Sequence, residues 1–192
     1  MEKPDIVYLD LETQHSLYEV GGWRNINKLR VSIGVTFSTA LNKYTIYWEP
    51  TVHQLIHQLT KAHLIVGFNL LKFDYKVLQA YTSIHLAQLP TLDIMADISQ
   101  RLHRPVSLNS IVKATLELEK TADGLQAVQW FKQNKLVQIA EYCCYDVKLA
   151  MLIHQFGLQN GFVYVLDKQG NKQLVKVDWC PRQDSNLYGV TH

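Results

Sequence analysis

The chain of 192 residues is long enough to bury a substantial core as one domain, and its 47% hydrophobic and 19% charged residues are ordinary for a globular protein. A formal net charge of +2 does not imply the broad basic surface that is usual in proteins that wrap duplex DNA, and it neither supports nor excludes a nucleic-acid substrate. No apolar run reaches the roughly 18 residues that a membrane span requires, so we expect no membrane partner.

The cysteines point to a reducing compartment. Cys143, Cys144 and Cys180 include an adjacent pair and no C-x-x-C spacing, which argues against a disulfide framework or a zinc site. The first five residues, Met-Glu-Lys-Pro-Asp, lack the basic-then-apolar order of a secretory signal. We therefore expect a cytoplasmic protein.

The first predicted element is an apolar strand over residues 5–13, which ends in two carboxylates. Side chains two residues apart in a strand point to the same face, so Asp10 and Glu12 lie side by side. Two carboxylates this close on a rigid element can bind a hard divalent cation. A strand that merely runs into an acidic loop would show the same pattern. The first strand therefore leaves both interpretations open.

The next predicted elements are a hairpin, a helix and a second buried strand. After a loop over residues 15–28, residues 29–38 and Lys43–Trp48 predict an antiparallel hairpin, and Val52–Lys61 predicts an amphipathic helix. Residues 63–69 form the short apolar run that is typical of a buried parallel strand. A helix is predicted from Asp74 to Tyr81.

The second half of the chain is predicted to be mostly helical. Ser107 or Asn109 is expected to cap a helix that ends at Leu116, and Gly124 precedes a short helix. A long helix is predicted over residues 134–155, and a terminal hairpin is predicted from residues 162–166 and 173–179.

The order of these elements predicts an α/β protein with a mixed central sheet flanked by α-helices. We divide the chain into a main domain at residues 1–160, a β-hairpin extension of the same domain at residues 161–180, and a loose tail at residues 181–192.

Two further acids occur where each has an ordinary explanation. Asp74 follows a buried strand at a predicted helix start, where a carboxylate commonly serves as an N-cap. Asp146 lies four residues after Tyr142 in the long helix, so both side chains project from one face. A surface acid beside a half-buried tyrosine would explain that pair equally well.

Considered together, these residues resemble a known set of motifs. Asp-x-Glu at residues 10–12, Asn-x4-Asp at 69–74 and Tyr-x3-Asp at 142–146 are similar to the three motifs of the DEDDy exonucleases, which shorten nucleic acids from the 3′ end and belong to the ribonuclease H-like superfamily. The resemblance covers about residues 5–155 and implies the ribonuclease H-like fold.

Within that class, the chain most resembles the proofreading exonuclease domain of family B DNA polymerases. That domain has Gly-aromatic-Asn before Phe-Asp and then Tyr-Cys-x-x-Asp, as this chain has at residues 67–69, 73–74 and 142–146. No polymerase domain follows, which implies a stand-alone nuclease or one part of a larger assembly.

The resemblance implies that Asp10, Glu12, Asp74 and Asp146 bind two divalent ions, Mg²⁺ or Mn²⁺. Asp10 would bridge both ions, and Glu12 and Asp146 would complete the side of the attacking water. Asp74 would hold the leaving-group side. Two ions in such a site act on the attacking and departing oxygens of a phosphodiester.

Four other residues match positions around the reacting bond. Tyr142 resembles the residue that orients the attacking water; the sister class has a histidine five residues before the last acid, where this chain has Glu141. Thr13 and Asn69 match positions that hold the terminal nucleotide, and Leu11 is expected to pack against its base. The implied partner is a nucleic acid 3′ end, with single-stranded DNA favoured and RNA as the alternative.

Three readings of the sequence compete. The favoured one is a 3′-5′ exonuclease that releases nucleoside 5′-monophosphates. The second is a catalytically idle module of the same fold that binds nucleic acid or docks a partner. The third is a phosphatase of the haloacid dehalogenase type, which also places two acids after a first strand but has Asp where this chain has Glu12.

Overall fold

The computed structural model describes residues 4–118 and 124–179, and these ranges contain a five-stranded mixed sheet. The strand order is β3-β2-β1-β4-β5. The antiparallel pairs are β1–β2 and β2–β3, and the parallel pairs are β1–β4 and β4–β5. The strands are β1 (Ile6–Thr13), β2 (Val31–Ser38), β3 (Lys43–Trp48), β4 (Leu64–Gly67) and β5 (Thr91–Asp93). The predicted α/β architecture with a mixed central sheet is confirmed.

Helices cover both faces of this sheet. They are α1 (Val52–Lys61), α2 (Tyr75–Leu78), α3 (Ile94–Leu102), α4 (Leu108–Leu116), α5 (Gly124–Lys132) and α6 (Leu136–Asn160). A single π-turn, Leu70–Asp74, joins the end of β4 to α2. Within the described ranges, none of the helices combines the length and the apolar character that crossing a membrane requires.

The two faces of β1 belong to two separate cores, as its alternating side chains predict. Val7, Leu9 and Leu11 pack in the core that contains the buried residues of α1 and α2. Tyr8 packs in the other core, which contains the buried residues of α3, α4 and α6. Asp10 and Glu12 share the face of Tyr8, so they point toward α6.

Several predicted boundaries move for local reasons. The first hairpin strand begins at Val31 rather than residue 29, because Arg30 has a left-handed backbone with φ 55°. The long helix runs from Leu136 to Asn160 rather than over residues 134–155. Gly161 follows it as the C-terminal cap, with a φ of 72° that suits this position. Of the two predicted caps of α4, Ser107 is the one that accepts a hydrogen bond from Ser110.

The segment predicted as one helix from Asp74 to Tyr81 is helical, but it is not a single α-helix. Asn69 has φ 68°, and the chain then passes through the π-turn, the short α2 and a 3₁₀ turn at Gln79–Tyr81. The side chain of Asp74 makes no capping bond to α2. The ordinary explanation of this acid as a helix cap therefore fails.

The terminal hairpin is present, with strands β6 (Phe162–Leu166) and β7 (Lys172–Lys176). Its second strand ends at Lys176 rather than residue 179. The hairpin packs on α4, where the Thr115 hydroxyl donates to the Tyr164 carbonyl at 2.7 Å and accepts from the Tyr164 N–H at 2.9 Å. The predicted tail at residues 181–192 lies outside the described residues.

Candidate active site

A cleft of about 690 Å³ opens at the C-terminal ends of β1 and β4. This is the edge of the sheet at which parallel α/β proteins commonly place their ligands. Four of the predicted acids line it together with Tyr142: Asp10, Glu12, Asp74 and Asp146. Leu11, Thr13 and Asn69 line it as well.

Three of the acids form a tight group, which we call the three-acid cluster. Asp10, Glu12 and Asp146 each contribute an oxygen, and these oxygens all lie within 4.8 Å of one another. The first two come from β1 and the third comes from α6, which packs on the same face of the sheet. Because a strand and a buried helix fix the side chains, the cluster is held on rigid elements.

Asp74 lies outside the three-acid cluster but close to it. Its side chain is 2% exposed at the end of the π-turn. Burial, and then the negative charge of Asp10, raise the pKa of this carboxyl well above its usual range. Its Oδ1 atom accepts no hydrogen bond within the described part of the chain. A buried carboxylate oxygen without a donor is costly unless a cation compensates it.

Tyr142 is held beside the three-acid cluster as a hydrogen-bond donor. It is 3% exposed, and its ring meets that of Trp130 from α5 edge-on, with centroids 6.0 Å apart. Burial and the negative charges of Asp146, Glu12 and Asp10 raise the pKa of its phenol, which also hydrogen-bonds to Asp146. The phenol therefore stays protonated at neutral pH.

The three predicted substrate contacts have different surroundings. Asn69 is half-buried, and its Oδ1 has no hydrogen-bond partner in the residues that the structure covers. The Thr13 hydroxyl donates to the His15 carbonyl at 2.8 Å, so it already shapes the loop that follows β1. Leu11 is 3% exposed and packs in the core toward α1, which leaves little of its surface to meet a base.

Asp93 is a residue whose contribution the sequence did not reveal. It caps α3 by accepting from the Ala96 N–H at 3.2 Å. It also accepts from the Asn69 N–H at 2.9 Å and the Leu71 N–H at 3.0 Å. The carboxylate therefore fixes the turn that carries Asn69 and leads to Asp74.

Cys143 is a second residue whose contact with the candidate site the sequence did not reveal. Its side chain is fully buried, and Sγ lies 3.2 Å from both the carbonyl oxygen and Oδ2 of Asp10. Burial raises the pKa of the thiol well above its usual range, so the thiol keeps its proton and donates.

The donor set suits a hard divalent cation. Carboxylate oxygens are the ligands that Mg²⁺ and Mn²⁺ prefer, and three lie close enough to share one ion. Asp74, which lines the same cleft, adds an oxygen that accepts no hydrogen bond from the described residues. The residues present therefore fit a site for a divalent metal ion.

Comparison with known proteins identifies the family. The RNase_H_2 family model, described as RNase_H superfamily, matches residues 7–155. The chain belongs to the RNase_H superfamily. The matched range runs from β1 into α6 and contains all four acids and Tyr142. A comparison with curated proteins finds no significant match.

Membership in the RNase_H superfamily sets the general class of function. This superfamily consists mostly of nucleases and related hydrolases, and the three-acid cluster fits a nuclease. Membership in this superfamily does not favour the haloacid dehalogenase alternative.

Proposed function

We propose that the protein is a 3′-5′ exonuclease of the DEDDy type, related to the proofreading domains of family B DNA polymerases. It would hydrolyse the last phosphodiester bond of single-stranded DNA and release nucleoside 5′-monophosphates, with RNA as the alternative substrate. The observation that carries the proposal is the three-acid cluster, whose oxygens lie within 4.8 Å of one another beside Tyr142. The domain would comprise residues 1–160 with the hairpin extension at 161–180, in the cytoplasm.

We assign Asp10, Glu12 and Asp146 to one divalent ion, and Asp74 with Asp10 to a second. Mg²⁺ or Mn²⁺ bound there would stabilise negative charge on the attacking and leaving oxygens. The second assignment is supported by the buried Asp74 Oδ1, which lacks a hydrogen-bond donor within the described residues.

The protein's own groups have separate tasks in this proposal. Tyr142, which is protonated and hydrogen-bonded to Asp146, orients the attacking water without binding metal. Asn69 directs its side-chain amide toward the terminal nucleotide, and Thr13 contacts the same nucleotide at the end of β1. Leu11 supports the floor of the cleft beneath the terminal base.

The first test compares cleavage of 5′-labelled single-stranded DNA and RNA in Mg²⁺, in Mn²⁺ and in EDTA. We expect stepwise shortening that EDTA stops and that a blocked 3′ terminus prevents. Asp10→Ala should abolish it, because Asp10 belongs to both proposed ion sites. Full activity of Asp10→Ala would contradict the assignment, and unchanged cutting of the blocked strand would indicate an endonuclease.

A second variant separates water orientation from metal binding. Tyr142→Phe removes the phenol hydroxyl but leaves the ring against Trp130, so the metal sites should be retained. We expect kcat to fall by about 10²-fold while the Mg²⁺ concentration for half-maximal activity stays the same. A raised Mg²⁺ requirement would argue instead for a structural role.

Binding without cleavage by the wild type would favour the idle-module alternative.

A further inference from the structure

Two exposed apolar side chains stand at the mouth of the cleft on different elements. Tyr18 belongs to the loop that follows β1 and is 95% exposed. Leu125 belongs to the first turn of α5 and is 64% exposed. Both residues contribute to the lining of the cleft. Neither is part of the machinery assigned above.

The loop that carries Tyr18 is firmly folded. Glu19 accepts hydrogen bonds from the backbone N–H of Ser16 at 2.8 Å and from its hydroxyl at 2.9 Å. The Gly22 N–H donates to the Leu17 carbonyl at 2.7 Å, in a turn where Gly22 has φ 93°. The exposed ring of Tyr18 is therefore presented by an ordered backbone.

The same loop is connected to α5. Glu19 forms an ion pair with Lys132 at the end of α5. Such a partly exposed pair adds little stability by itself, but it links the two elements that carry Tyr18 and Leu125. The Glu19–Lys132 ion pair thus connects the loop that carries Tyr18 to the helix that carries Leu125.

The chemistry of the cleft favours contact with bases rather than phosphates at this mouth. Among the described residues that line the cleft, none is a lysine or arginine, whereas four are acids. Its remaining walls are largely apolar, with Leu17, Phe68, Phe73 and Leu108 as examples. Aromatic and aliphatic side chains can contact the face of any base, so such recognition tolerates sequence.

We propose that Tyr18 and Leu125 form a stacking rim that takes unpaired nucleotides at the 3′ end of the substrate. The rim rests on the proposed function and adds to it two residues that would set the specificity for a single-stranded or frayed end, in DNA or RNA. In a duplex only the outer face of the terminal base pair is free, so a paired end offers Tyr18 and Leu125 fewer base faces than an unpaired end. The rim therefore sets the preference for unpaired over paired ends.

The test measures kcat and KM for a labelled single strand and for the same strand in a blunt duplex. Tyr18→Ala and Leu125→Ser should each raise the KM for the single strand roughly tenfold, with a smaller change in kcat. The ratio of kcat/KM for the single strand to kcat/KM for the duplex should fall by a similar factor. Tyr18→Phe keeps an aromatic face and should restore the wild-type KM.

Leu41→Ser is the matched control. Leu41 is 65% exposed in the turn between β2 and β3, outside the described lining of the cleft. It should leave both kinetic constants unchanged. A wild-type KM in Tyr18→Ala and Leu125→Ser, or an equal rise in Leu41→Ser, would overturn the rim.

Failure of the rim can be distinguished from failure of the proposed function. A wild type that cleaves the strand while both rim variants keep its KM contradicts the rim alone. A wild type that cleaves nothing contradicts the proposed function. In that case fluorescence anisotropy of the labelled strand with Ca²⁺ still decides the rim: weaker binding by Tyr18→Ala than by Leu41→Ser supports it, and equal binding overturns it.

Discussion

Asp74 is a buried side chain that destabilises the metal-free fold. It is a carboxylate that is 2% exposed, close to the charge of Asp10, with one oxygen that lacks a hydrogen-bond donor in the described residues. The raised pKa of this group means that its ionised form is disfavoured in the folded protein. At neutral pH its ionisation therefore costs folding free energy when no cation is present.

We expect Asp74→Asn to stabilise the metal-free protein while it impairs cleavage. Loss of the buried charge should raise the free energy of unfolding in EDTA by about 1 kcal/mol, or the melting temperature by roughly 2–4 °C. The measurement is thermal unfolding in EDTA and in Mg²⁺. Mg²⁺ should stabilise the wild type more than the variant, because only the wild type keeps the full ligand set.

Glu141→Gln is the control for this comparison, since it removes one negative charge from an exposed position on the same helix as Asp146. Surface changes of this kind usually alter stability by less than about 0.5 kcal/mol. A variant Asp74→Asn that is less stable than the wild type in EDTA would show that the carboxylate is satisfied without metal.

At the scale of elements, β1 was predictable because its own residues determine which side chains share a face. Alternation of side chains along residues 5–13 predicts both the two buried faces and the shared direction of Asp10 and Glu12, and the two cores confirm the faces. The segment between β4 and α2 was not predictable in this way. Its shape depends on Asn69 in a left-handed conformation and on Asp93, which is 24 residues further along the chain.

That long-range contact follows from sheet register rather than from any sequence pattern. Gly67 at the end of β4 pairs with Leu9 of β1 and with Asp93 of β5, so β4 and β5 end together while β1 continues to Thr13. A Cβ atom at Gly67 would lie 2.5 Å from the Leu9 carbonyl oxygen, so only glycine permits this approach. Local sequence patterns could identify Asp93 as a helix cap, but they could not show that it also accepts from the N–H groups of Asn69 and Leu71.

Asp93→Ser should separate the two tasks of this residue. A serine can still cap α3 at the Ala96 N–H, but its short side chain cannot also reach the N–H groups of Asn69 and Leu71. We expect a loss of about 1–3 kcal/mol in unfolding free energy and a raised Mg²⁺ requirement for cleavage, because Asp74 is no longer held in place. Denaturant unfolding and Mg²⁺ titration of activity measure the two effects.

The comparison that isolates the turn is Ser107→Ala, which removes only the cap of α4. It should lower stability by about 1 kcal/mol without changing the Mg²⁺ requirement. If Asp93→Ser behaves like this cap deletion, then Asp93 acts on α3 alone and does not position Asp74.

At the scale of the whole molecule, one chain of buried contacts joins the first strand to the last described residues. The Tyr8 hydroxyl on β1 lies 2.9 Å from His154 Nδ1 on α6, and the His154 ring packs against Trp179 with centroids 5.9 Å apart. The Trp179 indole donates to Asp97 at 2.8 Å. Trp179 lies so close to Gly157 that a Cβ atom there would be 2.3 Å from its ring, which explains the glycine.

This chain of contacts predicts a stability loss in acid. Burial lowers the pKa of His154 from 6.5 to about 4, so the folded protein binds this proton less readily than the unfolded chain. The stabilising contribution is complete above the unfolded pKa of 6.5 and is lost as the pH falls toward 4. Over that range the loss amounts to at most about 3 kcal/mol.

His154→Gln should flatten this acid dependence. A glutamine carbonyl can still accept from the Tyr8 hydroxyl, whose pKa burial raises to about 12, and it takes up no proton. Denaturant midpoints measured between about pH 7 and pH 4 should fall less steeply for His154→Gln than for the wild type. The control His53→Gln changes an exposed histidine on α1 and should keep the wild-type slope. Equal slopes in all three proteins would mean that protonation of His154 is not what limits folding in acid.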